Sequence, residues 1–130
     1  NISVVSKLYA NFGKGDVPAV LAALDSKVVW NEAEGNALAD GNPYIGPDAV
    51  LEGVFTRVLE DFPNFTLNDI VLHNMENDQV LATLRYKATM KATGKDLNAQ
   101  AAHLWSLKDG KIIAFQQYVD TRQLNDVGRK

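Results

Sequence analysis

The sequence contains no cysteine and only two histidines among its 130 residues. Disulfides are therefore excluded, and two histidines without cysteine fall short of the usual metal ligand sets. No apolar run approaches the roughly 20 residues of a membrane-spanning helix. Basic residues form no cluster, and the net charge is −3, which argues against nucleic acid as a partner. No phosphate-binding glycine loop or serine-nucleophile motif is found. We expect no metal, cofactor, nucleic acid or membrane partner.

What remains is the composition of one globular domain. Hydrophobic residues make up 46% of the sequence, and 130 residues are enough to bury a core without metals or disulfides. The first residues do not have the pattern of a signal peptide, and the lack of cysteine fits a reducing compartment. We therefore predict a single domain over residues 1–130 that is located in the cytoplasm.

Residues 97–120 predict a long β-hairpin around which the fold is organised. Asp109-Gly110 lies between two β-rich runs, and this dipeptide is typical of a tight hairpin turn. Alternation with a period of two places the apolar residues of each arm on one face. Each of these faces carries one polar residue near its middle, His103 on the first arm and Gln117 on the second. An apolar surface with isolated polar groups is typical of a pocket.

The rest of the chain predicts helices followed by strands. Helical spacing of apolar residues, with capping residues at the ends, indicates helices over residues 2–12, 17–24 and 48–62. Strands are predicted at 27–31, 65–75 and 79–90, and Asp120 is expected to cap a short last helix. Residues 33–46 contain three glycines and a proline and predict an irregular loop, which we expect to cover another part of the fold.

This order predicts an α+β fold. Helices would lie on one side of a four-stranded antiparallel meander, because such elements bury their apolar faces against each other. If the sheet curls over the helices, its concave side becomes a cone lined by several elements.

The sequence resembles the nuclear transport factor 2-like superfamily, in its SnoaL-like or ketosteroid-isomerase-like branch. The resemblance covers nearly the whole chain and implies a cone-shaped, curved antiparallel sheet wrapped around N-terminal helices. The fold hosts isomerases, cyclases, hydrolases, dehydratases and non-catalytic binding modules. The motifs that carry the resemblance are Tyr9-x-x-Phe12 with Gly15-Asp16, Val28-Val29-Trp30, Tyr44-x-Gly46-Pro47, Asp109-Gly110-Lys111-Ile112 and Tyr118-x-Asp120-Thr121.

Glu32 is the first candidate catalytic residue. The resemblance places it where ketosteroid isomerases carry their general-base carboxylate, with Gly35 following three residues later. A carboxylate that faces an apolar cavity has a raised pKa, which suits proton transfer beside a carbonyl group. Two alternatives remain: Glu32 is a solvated acid beyond a strand end, or the neighbouring Glu34 faces inward.

His103 is the second candidate catalytic residue. The resemblance places it at the strand position of the isomerases' protonated oxyanion-hole aspartate, and SnoaL-like cyclases have a histidine at or near this point. An imidazole can exchange a proton near neutral pH or hold a ligand oxygen. The alternative is a hydrogen-bonded core histidine between Ala101 and Trp105. His73, near a strand end, is expected to be exposed.

Two departures from the family pattern weaken the transfer of either activity. The isomerases' oxyanion tyrosine falls on Leu8, and the next residue, Tyr9, would point about 100° away on a helix. Tyr9 is therefore expected to reach the site only if the register shifts. The cyclases' catalytic aspartate falls on Gln117, which forms hydrogen bonds but does not exchange a proton at neutral pH.

Six residues are candidate ligand-binding groups. The aromatic members also have an explanation as ordinary core residues. The six are Tyr9, Trp30, Tyr86, Trp105, Phe115 and Gln117.

Two functions fit these residues. The first is cofactor-independent proton transfer on a hydrophobic carbonyl compound, as in isomerisation, cyclisation or dehydration, with Glu32 as base and His103 stabilising the oxyanion. The second is non-catalytic binding of a hydrophobic small molecule. We also expect a homodimer that pairs through the convex face of the sheet, where Thr83, Gln100, Ala102, Leu104 and Tyr118 form a mixed, weakly charged surface.

Overall fold

The computed structural model describes residues 1–129 and has the predicted α+β organisation. Three helical regions precede a run of long strands, and one short helix follows them. The elements are α1 (Ile2–Gly13), α2 (Val17–Ala22), β1 (Leu24–Asn31), a 3-10 helix (Ala37–Gly41), β2 (Tyr44–Ile45), α3 (Pro47–Val50), a π-helical segment (Leu51–Phe55), α4 (Thr56–Asp61), β3 (Thr66–Met75), β4 (Gln79–Thr89), β5 (Asp96–Lys108), β6 (Lys111–Val119) and α5 (Thr121–Val127).

The strands form one curved, unclosed sheet in the order β2-β1-β6-β5-β4-β3. The predicted antiparallel meander corresponds to β3 through β6. β1 joins the meander by pairing parallel to β6, so the complete sheet is mixed. This parallel pairing brings the end of β1 beside Phe115 and Gln116 of β6. β1, from the first part of the chain, and β6, from the last part, therefore lie side by side in the sheet.

The predicted hairpin turn is confirmed. Asp109 and Gly110 have φ angles of 52° and 77°, as a two-residue turn of type I′ requires. Alternation along β6 predicts that Ile113 shares the face of Gln117 and that Ile112 lies on the opposite face. This is wrong at the start of the strand, because Ile112 is fully buried. A register shift between Ser106 and Leu107 changes the phase of the pairing there, and one residue of shift exchanges the two faces of a strand.

The helices cover the concave face and close the core. α1 turns Val5, Leu8 and Tyr9 inward, as its apolar spacing predicts. α5 begins at the predicted cap, where Asp120 Oδ1 accepts a hydrogen bond from the Gln123 backbone at 3.1 Å. Of the helices within residues 1–129, none has the length and apolar character needed to cross a membrane.

The predicted third helix contains a change of pitch. α3 and α4 flank the π-helical segment Leu51–Phe55 without a break. Val54 and Phe55, within this segment, are buried and face the concave side of the sheet. Single π turns within α-helices are often found at functional sites. Apolar spacing does not distinguish a π turn from an α turn over so few residues.

Residues 32–43, called here the covering segment, close one side of the cone. The predicted irregular loop, residues 33–46, contains the short 3-10 helix and also strand β2, so it is more regular than expected. The Tyr44 hydroxyl donates a hydrogen bond to the Leu38 carbonyl at 2.6 Å. The Tyr44 ring occupies the space that a Cβ on Gly53 would need, so a glycine is required there. This contact joins the covering segment to the π-helical segment.

The homodimer stays a prediction, and the outer sheet face offers a direct test. Tyr118 is 54% exposed at the centre of that face. We expect Tyr118→Arg to convert a dimer into a monomer in sedimentation velocity at micromolar concentration, because two copies of the charge would face each other across a two-fold interface. Leu59→Arg, a similar change at a helix position that is 38% exposed, should leave the dimer intact. A monomeric wild-type protein would contradict the prediction.

Candidate functional site

The concave side of the sheet encloses a cavity of about 70 Å³. Side chains from α1, α2, α4, the π-helical segment and five strands surround it. Its walls are mainly aromatic and aliphatic, and Phe55, Phe65 and Val58 close the helical side. The lining includes all eight residues that the sequence predicts for the site: Tyr9, Trp30, Glu32, Tyr86, His103, Trp105, Phe115 and Gln117.

His103 lies on the floor of the cavity and is 5% exposed. Both of its ring nitrogens have tyrosine partners. Nδ1 is 2.7 Å from the Tyr9 hydroxyl oxygen, and Nε2 hydrogen-bonds the Tyr86 hydroxyl. A buried polar ring with both nitrogens satisfied avoids the cost of an unpaired polar group. His103 therefore links two tyrosines that come from opposite sides of the fold.

Each tyrosine hydroxyl also accepts a hydrogen bond from a second donor. Trp105 Nε1 donates to the Tyr9 hydroxyl at 2.9 Å, and Gln117 Nε2 donates to the Tyr86 hydroxyl at 2.9 Å. The Gln117 amide is oriented by its other end, which accepts two hydrogen bonds. The five side chains thus form one continuous buried network.

The number of protons in this network leaves one hydroxyl donor unused. A neutral imidazole has one N–H donor and one acceptor nitrogen. One tyrosine therefore donates to the ring, while the other accepts from it. The accepting tyrosine already receives a hydrogen bond from Trp105 or Gln117, so its own O–H remains free. Either Tyr9 or Tyr86 can consequently offer a hydrogen bond to a molecule in the cavity.

Burial favours the neutral form of the three titratable residues in this network, His103, Tyr9 and Tyr86. The pKa of His103 is lowered from 6.5 to about 3 by burial, because a charged imidazolium is poorly solvated there. Burial raises the pKa of Tyr9 and of Tyr86. The neighbouring Glu32 charge further raises the pKa of Tyr86. His103 is therefore a neutral hydrogen-bonding group at physiological pH.

Tyr9 reaches the site. Its hydroxyl bonds His103, and Leu8 lines the same cavity. Two successive positions of α1 therefore both face the cavity.

Glu32, rather than Glu34, is the inward-facing carboxylate. Glu32 is 3% exposed, whereas Glu34 is exposed to solvent. Trp30 Nε1 donates a hydrogen bond to Glu32 Oε2 at 3.0 Å. The other oxygen, Oε1, has no partner among residues 1–129, yet no fully buried polar side-chain atom in that range lacks one. Oε1 therefore keeps some exposed surface, and Glu32 lines the cavity.

The environment of Glu32 raises its pKa from 4.5 to about 7. Burial is the main cause, since a carboxylate loses its hydration there. The hydrogen bond from Trp30 and the charge of Arg57 act in the opposite direction. Arg57 itself is paired with Asp40 at 2.8 Å, outside the cavity lining. Glu32 is consequently poised to gain or lose a proton near neutral pH.

Three polar residues that the sequence analysis did not select hold Glu32 and the covering segment in place. Asn42 Oδ1 accepts from the Glu32 backbone N–H at 2.9 Å, and Asn42 Nδ2 donates to the Glu32 carbonyl at 2.8 Å. Gln117 Oε1 accepts from the Ala33 N–H at 3.1 Å and from Asn36 Nδ2 at 3.0 Å. Tyr44 fixes the far end of the segment. Tyr44 belongs to a motif that carries the family resemblance, whereas no pattern in the sequence marked Asn36 or Asn42, because their bonds depend on the course of the loop.

The aromatic residues form a rigid part of the cavity wall. Trp30 and Phe115 stack with ring centroids 3.8 Å apart, and Phe115 meets the His103 ring at 4.9 Å. His103, Trp30 and Phe115 thus line the same cavity as Glu32. The stacking also fixes the indole N–H that donates to Glu32, because a stacked ring has few alternative rotamers.

Comparisons with known proteins agree with this fold. Residues 5–115 match the family model for the SnoaL-like domain, whereas no curated protein matches the chain. The chain is similar to an NTF2-like protein from Burkholderia thailandensis, with 29% identity over 98% of this chain and 96% of that chain and a TM-score of 0.91.

Two further solved structures share the fold at lower identity. A candidate polyketide cyclase from Xanthomonas campestris is 23% identical over 95% of this chain and 92% of that chain, with a TM-score of 0.80. TerC, co-crystallised with polyporic acid, is 20% identical over 97% and 95% of the two chains, with a TM-score of 0.81. The family model spans most of the chain, and the structures agree with it in fold. The resemblance inferred from the sequence motifs is confirmed, and the chain belongs to the SnoaL-like domain family.

Proposed function

We propose that the protein is a cofactor-independent enzyme that transfers a proton at the carbon next to the carbonyl group of a hydrophobic compound. Isomerisation, cyclisation and dehydration all include such a step. The observation that carries the proposal is the partly exposed oxygen of a carboxylate, Glu32, at the wall of an apolar cavity. In an apolar cavity, few water molecules compete with the carboxylate for the proton that it removes.

Glu32 is the general base. Its carboxylate removes the proton from the carbon, and the electrons of the broken C–H bond form the C=C bond of an enol or enolate. The proton then returns from Glu32 to a different carbon or to a leaving group. A pKa of about 7 makes the carboxylate more basic than an exposed glutamate, yet leaves much of it ionised at neutral pH.

Tyr86 donates the hydrogen bond that stabilises the negative charge on the carbonyl oxygen. It is the better of the two candidate hydroxyls because it lies close enough to Glu32 for that charge to raise its pKa. In this arrangement Tyr9 donates to His103 Nδ1, and His103 Nε2–H donates to Tyr86. The Tyr86 oxygen then accepts two hydrogen bonds and directs its own proton at the ligand, which is the geometry of an oxyanion hole.

The role of His103 differs from the sequence-based expectation. Its low pKa makes it a poor acid or base at neutral pH. It acts instead as a positioning residue, because its ring determines which tyrosine has a free hydroxyl proton. Gln117 supports the same tyrosine from the opposite side. Proton exchange is thus assigned to Glu32 alone.

The similar structures support a small-molecule site but do not identify its substrate. One structure of the same fold was co-crystallised with polyporic acid, and others come from candidate polyketide cyclases. At such low identity these proteins share the fold alone. Non-catalytic binding of a hydrophobic small molecule remains the second candidate, and ligand binding without proton exchange would favour it.

We predict that the protein accelerates the exchange of α-hydrogens of phenylacetone with solvent deuterium. Glu32→Gln should reduce this rate by at least about 100-fold, because a positioned general base contributes roughly 10²–10⁴ to a rate. The exchange is followed by proton NMR in D2O. The wild-type rate should rise with pH up to about 7, where Glu32 ionises, and then level off.

Glu34→Gln is the matched control for this experiment. It makes the same chemical change two residues away at an exposed position and should leave the exchange rate unchanged. Equal rates for the wild type and Glu32→Gln would exclude Glu32 as the base.

The two tyrosines should respond unequally to removal of the hydroxyl. We expect Tyr86→Phe to lower the exchange rate by about 100-fold, as for the loss of one oxyanion-hole donor. Tyr9→Phe should lower it by tenfold or less, because Tyr86 keeps its free proton. Circular dichroism and a urea unfolding curve verify that both variants are folded. A larger loss for Tyr9→Phe would assign the donor to Tyr9 instead.

Glu32 and His103 should give opposite pH dependences of stability. Burial keeps Glu32 protonated in the folded state, so stability falls as the pH rises from 4.5 to about 7, by up to about 3 kcal/mol. Burial keeps His103 neutral, so stability falls as the pH drops below 6.5 toward 3. Between pH 4.5 and 6.5 the two slopes oppose each other, and the wild-type free energy of unfolding should change little.

Glu32→Gln removes the first of these slopes. Its free energy of unfolding should rise steadily from pH 4.5 to 6.5, and the variant should gain stability relative to wild type as the pH approaches 8. Urea unfolding at four pH values measures this difference, and Glu34→Gln provides the control. Parallel curves for Glu32→Gln and wild type would show that Glu32 has an ordinary pKa in the folded protein.

A further inference from the structure

A second chamber of about 100 Å³ lies next to the cavity described above. The first is called here the deep chamber and the second the outer chamber. Five residues line both: Glu32, Val58, Phe65, Tyr86 and Gln117. The proposed base and the proposed oxyanion donor therefore stand at the boundary between the chambers rather than at the end of one.

The two chambers differ in chemistry. The deep chamber is closed by aromatic and aliphatic side chains around the histidine network. The outer chamber adds amide groups, Asn36 from the covering segment and Asn125 from α5, beside apolar residues such as Leu124. Asn125 Nδ2 donates to the Gly35 carbonyl at 3.3 Å, while its Oδ1 has no hydrogen-bond partner among residues 1–129. This oxygen is an available acceptor.

The charges at the two chambers have one sign. Glu32 and Asp61 contribute carboxyl groups to the lining. Within the described part of the chain, neither lining includes a lysine or an arginine. Arg57, whose charge acts on Glu32, is already paired with Asp40. A ligand carboxylate would therefore find no free cation in either lining to offset its desolvation, and Glu32 and Asp61 would repel it.

We propose that one elongated, uncharged carbonyl compound occupies both chambers, with its apolar end in the deep chamber and a hydrogen-bond donor in the outer chamber. This inference rests on the proposed function for the position of the carbonyl group. The carbonyl lies at the boundary, where Glu32 and Tyr86 meet it. An alcohol or a primary amide at the far end donates to Asn125 Oδ1, whereas a carboxylate has no proton to donate.

Three ketones test the inference: 2-butanone, 6-oxoheptanamide and 6-oxoheptanoate, the last two matched in length. Dissociation constants come from NMR titration of nitrogen-15-labelled protein at pH 7.5. We expect the amide to bind at least tenfold more tightly than both the carboxylate and 2-butanone. Equal affinities for the amide and the carboxylate would overturn the selection for uncharged ligands.

Ala37→Trp tests whether the outer chamber is used. Ala37 is exposed and lines only that chamber, so the indole should fill it and leave the deep chamber intact. We expect at least tenfold weaker binding of the amide and unchanged binding of 2-butanone. Leu124→Trp fills the same chamber from α5 and gives a second test if the first variant does not fold. Unchanged amide binding in the folded variants would overturn the proposal.

The same titrations separate this inference from the proposed function. If 2-butanone exchanges its α-hydrogens but the amide binds no better, the proton-transfer function stands and the two-chamber ligand is excluded. If the amide binds as expected but no ketone exchanges, the ligand class stands and catalysis is excluded. If no ketone binds, both proposals are excluded.

Discussion

A buried imidazole needs a hydrogen-bond partner on each ring nitrogen, and much of the site is built to meet that need. The partners of His103 come from the first helix and from β4. Both tyrosines in turn need second partners, which β5 and β6 supply. An unpaired polar group in a dry cavity costs free energy equal to a large part of the protein's net stability. The first helix must therefore lie across the sheet at the place where Tyr9 reaches His103.

The same burial also sets the electrostatic character of the cavity. Glu32 and His103 ionise in opposite directions, yet burial favours the uncharged form of each. Near pH 6 both groups are mostly neutral, and the cavity carries almost no charge. Ionisation of Glu32 is thus the first event as the pH rises. Glu32 is therefore the group of the cavity that titrates near neutral pH, whereas the histidine network stays neutral.

The strands of the hairpin and their apolar faces were predictable, because alternation and turn residues depend only on the local sequence. Asp109-Gly110 determines the turn, and alternation within each arm places His103 and Gln117 on its apolar face. Counting failed where a register shift occurs, at Ile112. The hydrogen bonds of Asn42 depend on the course of a loop. No local pattern encodes such a course, so these contacts became visible only in three dimensions.

Membership of the SnoaL-like family establishes the fold, whereas the chemistry depends on the residues at a few positions of the site. Gln117 connects Tyr86 to the covering segment. Position 117 therefore has a structural use in this chain. The carboxylate at position 32 then remains as the only buried acid among residues 1–129.

The π-helical segment has a consequence for how the length of this chain can vary. A π turn accommodates one residue more than an α turn of the same helix. Deleting one residue within Leu51–Phe55 would therefore be absorbed by a return to α pitch, and α4 would keep nearly its present orientation relative to α3. Arg57 would then stay on the side of the helix that faces Asp40. The segment therefore tolerates the loss of a residue better than an exchange of Gly53, whose missing Cβ leaves room for the Tyr44 ring.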